Sequence, residues 1–153
     1  MLQKVTTALG ITLLYEVKKA KAIIAGYCGK PTSVVIPPEI DGLPVVGVKD
    51  LAFYYCDALK TLDLPATIET IGRQAFEGCG SLDAIKLREG LKSVGAFAFD
   101  ECPNLKRVVL PETVRSVGVC AFGSVKKVVG LDRVAEHEAK RARNNERELL
   151  GGI

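Results

Sequence analysis

Three consecutive segments of the sequence repeat with a constant length of 23 residues and no gap. Residues 59–81 read LKTLDLPATIETIGRQAFEGCGS, residues 82–104 read LDAIKLREGLKSVGAFAFDECPN, and residues 105–127 read LKRVVLPETVRSVGVCAFGSVKK. Their shared frame is L-x-x-L-x-L-P-x-x-I-x-x-I-G-x-x-A-F-x-x-C, in which I, L and V interchange. An earlier unit keeps the second half of the frame at residues 48–56, and a degraded unit begins at Val128. Self-similarity at a fixed period of this kind predicts a solenoid of stacked coils.

Each unit predicts one coil with three parts. The leucine-rich segment predicts a short strand, because Leu62 and Leu64 alternate with polar residues. Pro65 ends that strand, since proline cannot donate a hydrogen bond to a ladder. The A-F-x-x-C segment predicts about one helical turn whose phenylalanine fills the interior. One glycine in each unit is expected to form a turn with positive φ; these are Gly72, Gly95 and Gly118.

The repeat frame resembles the leucine-rich repeats of the BspA-like (treponemal) class over residues 13–131. The resemblance implies an α/β repeat, a short right-handed solenoid of 23-residue coils with a strand-lined concave face, an N-terminal β-hairpin cap and a C-terminal helix. It also implies a role in adhesion or protein recognition and no enzyme activity. The expected organisation is a hairpin cap over residues 1–33, a solenoid over 34–131 and a charged helix or tail over 132–153. The hairpin turn is placed at Lys18 and Lys19, which are poor turn residues.

The tail over residues 132–150 predicts a helix that Asp132 caps at its N-terminus and Gly151 ends. Three alternatives stay open for it. It lies over the last coil as a cap, because a solenoid must cover its terminal coils. It projects and either associates with a second copy or meets another protein, in which case the chain is an adaptor or inhibitor subunit of a larger complex. Or it is a frayed tail.

The five cysteines predict packing and not a metal or disulfide framework. Cys56, Cys79 and Cys102 follow the 23-residue period, Val125 continues their column, and no C-x-x-C spacing occurs. A buried column of thiols that behave as small hydrophobes is the favoured interpretation. Cys28 is expected to be exposed, and the side chain of Cys120 is left unassigned. An odd count without a convincing signal peptide favours the cytoplasm; the cell surface or secretion is the alternative if the chain is a fragment.

Composition and motifs argue against several other functions. The net charge is only +3, which does not favour nucleic acid, and no apolar stretch approaches the about 20 residues of a membrane span. His137 is the only histidine, and no nucleophile, carboxylate pair or phosphate loop accompanies it. We therefore expect no catalytic residue, no metal, no cofactor, no nucleic-acid partner and no membrane insertion.

The surface remains as the candidate site for binding another protein. The outward residues of the strands are Ser33, Val35, Thr61, Asp63, Ala84, Lys86, Arg107 and Val109. They predict one patch across four coils, with Asp63 beside Lys86 as a weak ion pair and with Lys86 and Arg107 facing an acidic spot of the partner. Tyr54 and Tyr55 have no aromatic counterpart in later coils and are candidates for an exposed aromatic spot, with burial under the hairpin as the alternative.

Overall fold

The computed structural model describes residues 1–151 as one β-solenoid with a single helix behind it. The elements in chain order are β1 (Gln3–Thr6), β2 (Thr12–Lys18), β3 (Lys21–Tyr27), β4 (Ser33–Val35), β5 (Glu39–Ile40), β6 (Leu43–Val48), β7 (Thr61–Asp63), β8 (Thr70–Ile71), β9 (Ala84–Lys86), β10 (Ser93–Val94), β11 (Arg107–Val109), β12 (Ser116–Val117), β13 (Lys127–Val129) and α1 (Leu131–Leu149). The right-handed leucine-rich-repeat architecture with 23-residue coils is confirmed.

The N-terminal end of the solenoid is covered by three antiparallel strands and not by a hairpin alone. β1 pairs with β2 and β2 with β3, and β3 then pairs in parallel with β6 of the first coil. The turn between β2 and β3 consists of Lys19 and Ala20, both at positive φ (50° and 58°), one residue later than expected. Two consecutive positive φ values are typical of the two-residue turn whose twist suits a hairpin. The chain therefore adopts this turn although it lacks the Asn and Gly residues that usually form it.

The coils stack through two ladders of parallel strands. One ladder runs through β6, β8, β10 and β12 without a break. The other carries the leucine-rich strands and consists of two separate sheets, β4–β7–β9 and β11–β13. The third side of each coil is a run of turns. Backbone hydrogen bonds between residues three apart close these turns, as Tyr54 N–H does with the Leu51 carbonyl, and the turns replace the expected helical turn.

An aromatic column fills the interior, one ring per coil. Phe53, Phe76 and Phe99 are fully buried, and consecutive ring centroids are 5.0 and 5.1 Å apart with nearly parallel planes. Tyr27 begins the column 5.1 Å from Phe53, and Phe122 ends it 5.4 Å from Phe99. Parallel rings at this separation are offset, which is a favourable arrangement for aromatic pairs. The expectation that phenylalanine fills the interior is confirmed, whereas the repeat frame did not reveal Tyr27 as the first ring.

The constant spacing of Gly72, Gly95 and Gly118 has a different cause from the one expected. None of the three is among the residues at positive φ. A Cβ atom on Gly95 would lie 2.6 Å from the Arg73 backbone nitrogen, and one on Gly118 would lie 2.3 Å from that of Ala96. The left-handed positions are instead taken by a column of other residues, namely Leu51, Gln74, Phe97 and Cys120. Glycine is therefore required where neighbouring coils approach closely, and not for a left-handed turn.

The helix α1 projects from the last coil and covers only part of it, since Phe122 is buried whereas Val119 and Cys120 are exposed. Val134 is its only buried residue, and Arg133 donates a hydrogen bond to the Leu110 carbonyl (3.0 Å). The helix begins after Gly130 (φ 97°) without a side-chain cap, so the N-cap role expected for Asp132 is wrong, whereas Gly151 ends the helix at φ 76° as expected. The helix is thus a cap only in its first turn, and residues 135–151 are exposed.

Candidate functional site

The sheet β4–β7–β9 brings together six of the eight residues expected to form the binding patch. Its strands pair in register, so that Ser33, Thr61 and Ala84 form one outward row. The second row consists of Val35, Asp63 and Lys86. A shallow cavity of about 310 Å³ lies over these two rows. We call this surface the short-strand face.

Some of the hydrogen-bonding groups in the row of small polar residues on the short-strand face already have partners within the protein. The Thr61 hydroxyl donates to the Ser33 hydroxyl across 2.8 Å. Val35 in the other row is 41% exposed. The cavity therefore offers a partner apolar contact at Val35 and few free hydrogen-bonding groups at its other edge.

Asp63 pairs with Arg88 and not with Lys86, which corrects the expected cross-coil pair. The Arg88 guanidinium contacts both the Asp63 carboxylate and the Leu64 carbonyl, and the hydrogen bond to Asp63 raises the pKa of Arg88. Arg88 stands at the position that Pro65 and Pro111 occupy in the neighbouring repeat units. The acidic charge on the face is thus neutralised, and among residues 1–151 Lys86 forms no ion pair.

Arg107 and Val109 belong to the separate sheet β11–β13, so the predicted four-coil patch is interrupted between β9 and β11. β13 belongs to the degraded last unit that the sequence predicts, with Lys127 paired to Arg107 and Val129 to Val109. These partners are 20 residues apart and not 23, so the step to the last unit is three residues short. Val128, which was expected to be the first residue of that unit, pairs with Val108. The short-strand face also includes the outward residues of β11 and β13. It therefore changes from neutral to basic along the solenoid, through Lys86, Arg107 and Lys127.

Tyr54 and Tyr55 lie on the turn side of the first coil, away from the short-strand face. They are 44% and 50% exposed and meet edge to face with ring centroids 4.6 Å apart. The Tyr55 ring lies over Gly78, where a Cβ atom would be 2.7 Å from it, and its hydroxyl donates to Glu101 two coils away. This hydrogen bond raises the pKa of Tyr55 to about 12.

The cysteines divide into buried and exposed groups. Cys56, Cys79 and Cys102 are buried as expected, and Cys28 is exposed as expected. The Cys79 thiol donates to the Phe53 carbonyl, and the Cys102 thiol donates to that of Phe76, each across 3.3 Å. Burial raises the pKa of all three thiols, to about 11 for Cys102. The structure also places the unassigned Cys120 at the surface of the last coil.

Thiol labelling of the native protein is expected to modify Cys28 and Cys120 and to spare the three buried cysteines. At pH 8 a thiol with a raised pKa carries little thiolate, which is the reactive species, and burial also blocks access. Mass spectrometry after a short maleimide pulse measures the labelled sites, and the same pulse in denaturant is the control for all five. Fast native labelling of Cys56, Cys79 or Cys102 would contradict the buried column.

Within residues 1–151, no group of three or more His, Cys, Asp or Glu side chains is arranged to hold a metal ion. His137 lies on the exposed surface of α1, beside Arg133, Glu136 and Lys140. Over the same residues, no helix combines the length and apolar character needed to span a membrane.

The stacked coils, the leucine-rich strands and the column of inward phenylalanines define a leucine-rich-repeat β-solenoid. The sequence profile described as the BspA type leucine rich repeat region matches six copies over residues 27–132. The chain belongs to this family. Leucine-rich repeat proteins are typically not enzymes and typically bind other proteins or act at surfaces.

Solved structures of three related proteins resemble this chain. The leucine-rich repeat protein of T. pallidum is 32% identical with a TM-score of 0.62, over 83% of this chain and 67% of that one. A leucine-rich repeat protein from Bacteroides ovatus is 27% identical with a TM-score of 0.68, over 78% and 35%. A leucine-rich cell surface protein from Faecalibacterium prausnitzii is 22% identical with a TM-score of 0.62, over 83% and 42%, which shows the fold alone. The chain spans less than half of the last two, and no curated protein matches it in sequence.

Proposed function

We propose that this protein is a non-catalytic module that binds another protein through the short-strand face. The observation that carries the proposal is the combination of exposed valines and unpaired basic side chains on strands held rigid by the stacked core. Val35 and Val109 are 41% and 51% exposed, and Lys86 and Arg107 form no ion pair among residues 1–151. Solenoids commonly use such an extended strand surface for binding.

The charge of the face indicates the chemistry of the partner. Because Arg88 neutralises Asp63, the free charges on the outward rows are basic. A partner with an acidic segment and a small apolar side chain nearby complements this surface, since complementary charge steers association and selects partners. The break between β9 and β11 divides the proposed binding surface into two halves. One half, at the cavity, offers apolar and uncharged polar side chains, and the other is basic, at Arg107 and Lys127.

Reversal of charge on the face is expected to abolish binding. In a pull-down from the native host, Lys86→Glu/Arg107→Glu should lose the captured partner by at least about tenfold, because like charges across an interface are strongly unfavourable. Lys4→Glu/Lys18→Glu changes the net charge equally at the far end of the solenoid and should bind as the unaltered protein does. Equal loss with both variants, or with neither, would contradict binding at this face.

Cell-surface display as an adhesin-type module is the second candidate, because the F. prausnitzii relative is described as a cell surface protein. We favour the cytoplasm for this chain, since Cys28 and Cys120 are exposed free thiols, which an oxidising compartment does not preserve. A membrane-impermeant maleimide applied to intact host cells distinguishes the two. It labels Cys28 and Cys120 only after lysis if the protein is cytoplasmic. If the protein is displayed, intact cells are labelled once a membrane-impermeant reductant has been added.

A further inference from the structure

The C-terminal end of the solenoid is open, in contrast to the N-terminal end, which β1, β2 and β3 cover. An open cavity of about 390 Å³ lies against the last coil, with a predominantly apolar wall. Its lining includes Cys120, Phe122, Val125, Val128 and Leu131, with Lys126 at the rim. We call this surface the coil end.

On its turn side, the coil end also lacks a hydrogen bond that each inner coil makes with the next one. In each inner coil the N–H of the residue at the phenylalanine position donates to the following coil, as Phe99 N–H does to the Ala121 carbonyl (2.7 Å). Phe122 in the last coil has no such backbone partner among the described residues. An unpaired backbone group at the end of a ladder, beside an apolar surface, favours association with another chain.

The helix α1 carries an apolar stripe with no partner in its own chain. At 3.6 residues per turn, one side of the helix collects Leu131, Ala135, Ala139, Ala142 and Leu149. Val134, the buried residue, lies to one side of this stripe, and Leu149 is 86% exposed. The stripe begins at Leu131, which also lines the coil end, so the two apolar surfaces are continuous.

The charges beside the stripe complement those at the coil end. Glu138 and Glu146 lie next to the stripe, whereas every Lys and Arg of the helix lies about 90° or more away from its centre. The rim of the coil end carries Lys126, and the neighbouring Lys127 adds a second positive charge. An acidic-edged helix therefore fits a basic-edged cavity on the same kind of molecule.

We propose that two copies of this chain exchange their C-terminal helices, so that the α1 stripe of one copy covers the coil end of the other. Each copy supplies both a helix and an open end, so the contact is self-complementary and closes as a two-fold dimer. Stacking of the coil end of one copy on the N-terminal end of another is not available, because residues 1–27 cover that end. A helix of this length with few contacts of its own is marginal alone, and the exchange supplies the missing contacts.

Light scattering coupled to gel filtration tests the dimer with the full chain. We expect a dimer at micromolar concentration that dissociates on dilution, with a parallel loss of helical circular dichroism as α1 loses its contacts. A mass equal to that of one chain at every concentration would overturn the proposal and would leave the helix available for a different protein.

Substitutions on the helix decide whether the stripe is the contact. Ala142→Glu places a carboxylate in the stripe and should weaken the dimer by at least about tenfold, since a buried unpaired charge is costly. Asn144→Glu adds the same side chain and charge on the opposite side of the helix and should leave the dimer unchanged. A dimer insensitive to Ala142→Glu, or equally weakened by Asn144→Glu, would exclude the stripe.

Charge exchange between the helix and the coil end decides whether they meet each other. Lys126→Glu and Glu138→Lys are each expected to weaken the dimer, and the double variant should recover affinity because the charges are again opposite. Both substitutions are at exposed positions, so the fold is retained. A double variant no tighter than either single variant would contradict the docking of α1 on the coil end.

Discussion

Phe99→Ala is expected to destabilise the protein by about 3–5 kcal/mol, the range of large-to-small changes at buried aromatic positions. Phe99 is fully buried and lies between the rings of Phe76 and Phe122, at centroid distances of 5.1 and 5.4 Å. Its removal leaves a cavity in the middle of the column and exposes one face of each neighbouring ring. Urea denaturation followed by circular dichroism measures the loss, and the thermal midpoint should fall by about 10 °C or more.

Phe97→Ala is the matched control, because Phe97 lies in the same coil two residues earlier. It is only half-buried, has a φ of 59° and is not part of the aromatic column. The substitution should cost about 1 kcal/mol, the usual size for a change outside the core. If the two alanine variants unfold at the same urea concentration, the assignment of Phe99 to a stacked interior is wrong.

Gly95→Ala is expected to cost about 3 kcal/mol, at the upper end for an overpacked site. The new Cβ atom would lie 2.6 Å from the Arg73 backbone nitrogen and 2.7 Å from the Gly72 carbonyl carbon, and both belong to the preceding coil. Backbone atoms in a stacked coil cannot move aside without disturbing the ladder between β8 and β10. The loss of stability is measured by the same urea denaturation.

Gly95→Asn separates close approach from backbone conformation. Asparagine tolerates positive φ better than alanine, so it would be the milder change if the glycine supplied a left-handed turn. Because the available space is what requires glycine here, asparagine should lower the stability at least as much as alanine does. Gly80→Ala serves as the control, since no atom lies within 4 Å of its Cβ position, and its effect should stay within about 0.5 kcal/mol.

The sequence could predict the repeat and its interior because one period imposes the same environment on every coil. Phenylalanine and cysteine recur at a spacing of 23, so the residues equivalent to Phe76 and Cys79 had to lie on top of one another once the coils stacked. That argument also assigned Val125 to the cysteine column, and its backbone bond to Phe122 matches the one between Cys79 and Phe76. Periodicity failed at the end of the repeat, where the shortened last unit moved Val128 by three residues.

The candidate site was predicted less completely, because a surface depends on which long side chains meet across coils. The period placed Asp63 and Lys86 in one row, but it carried no information about Arg88. Arg88 stands where the neighbouring units have proline, and its side chain pairs with the Asp63 carboxylate of the preceding coil. The period also implied a continuous ladder, whereas the pairing stops between β9 and β11 and resumes with β13. These features arise from individual side chains and from the ends of the repeat.

The repeat pattern was enough to predict the coil length, the inward residues and the family, because a strict period leaves only one way to bury an apolar face that recurs once per coil. The tertiary structure alone decided that the glycines serve close approach, that Asp63 belongs to Arg88 and that α1 projects from an open last coil. Each of these depends on the distance between segments of neighbouring coils. Such distances are set by packing in three dimensions and are not encoded in the local pattern of a single unit.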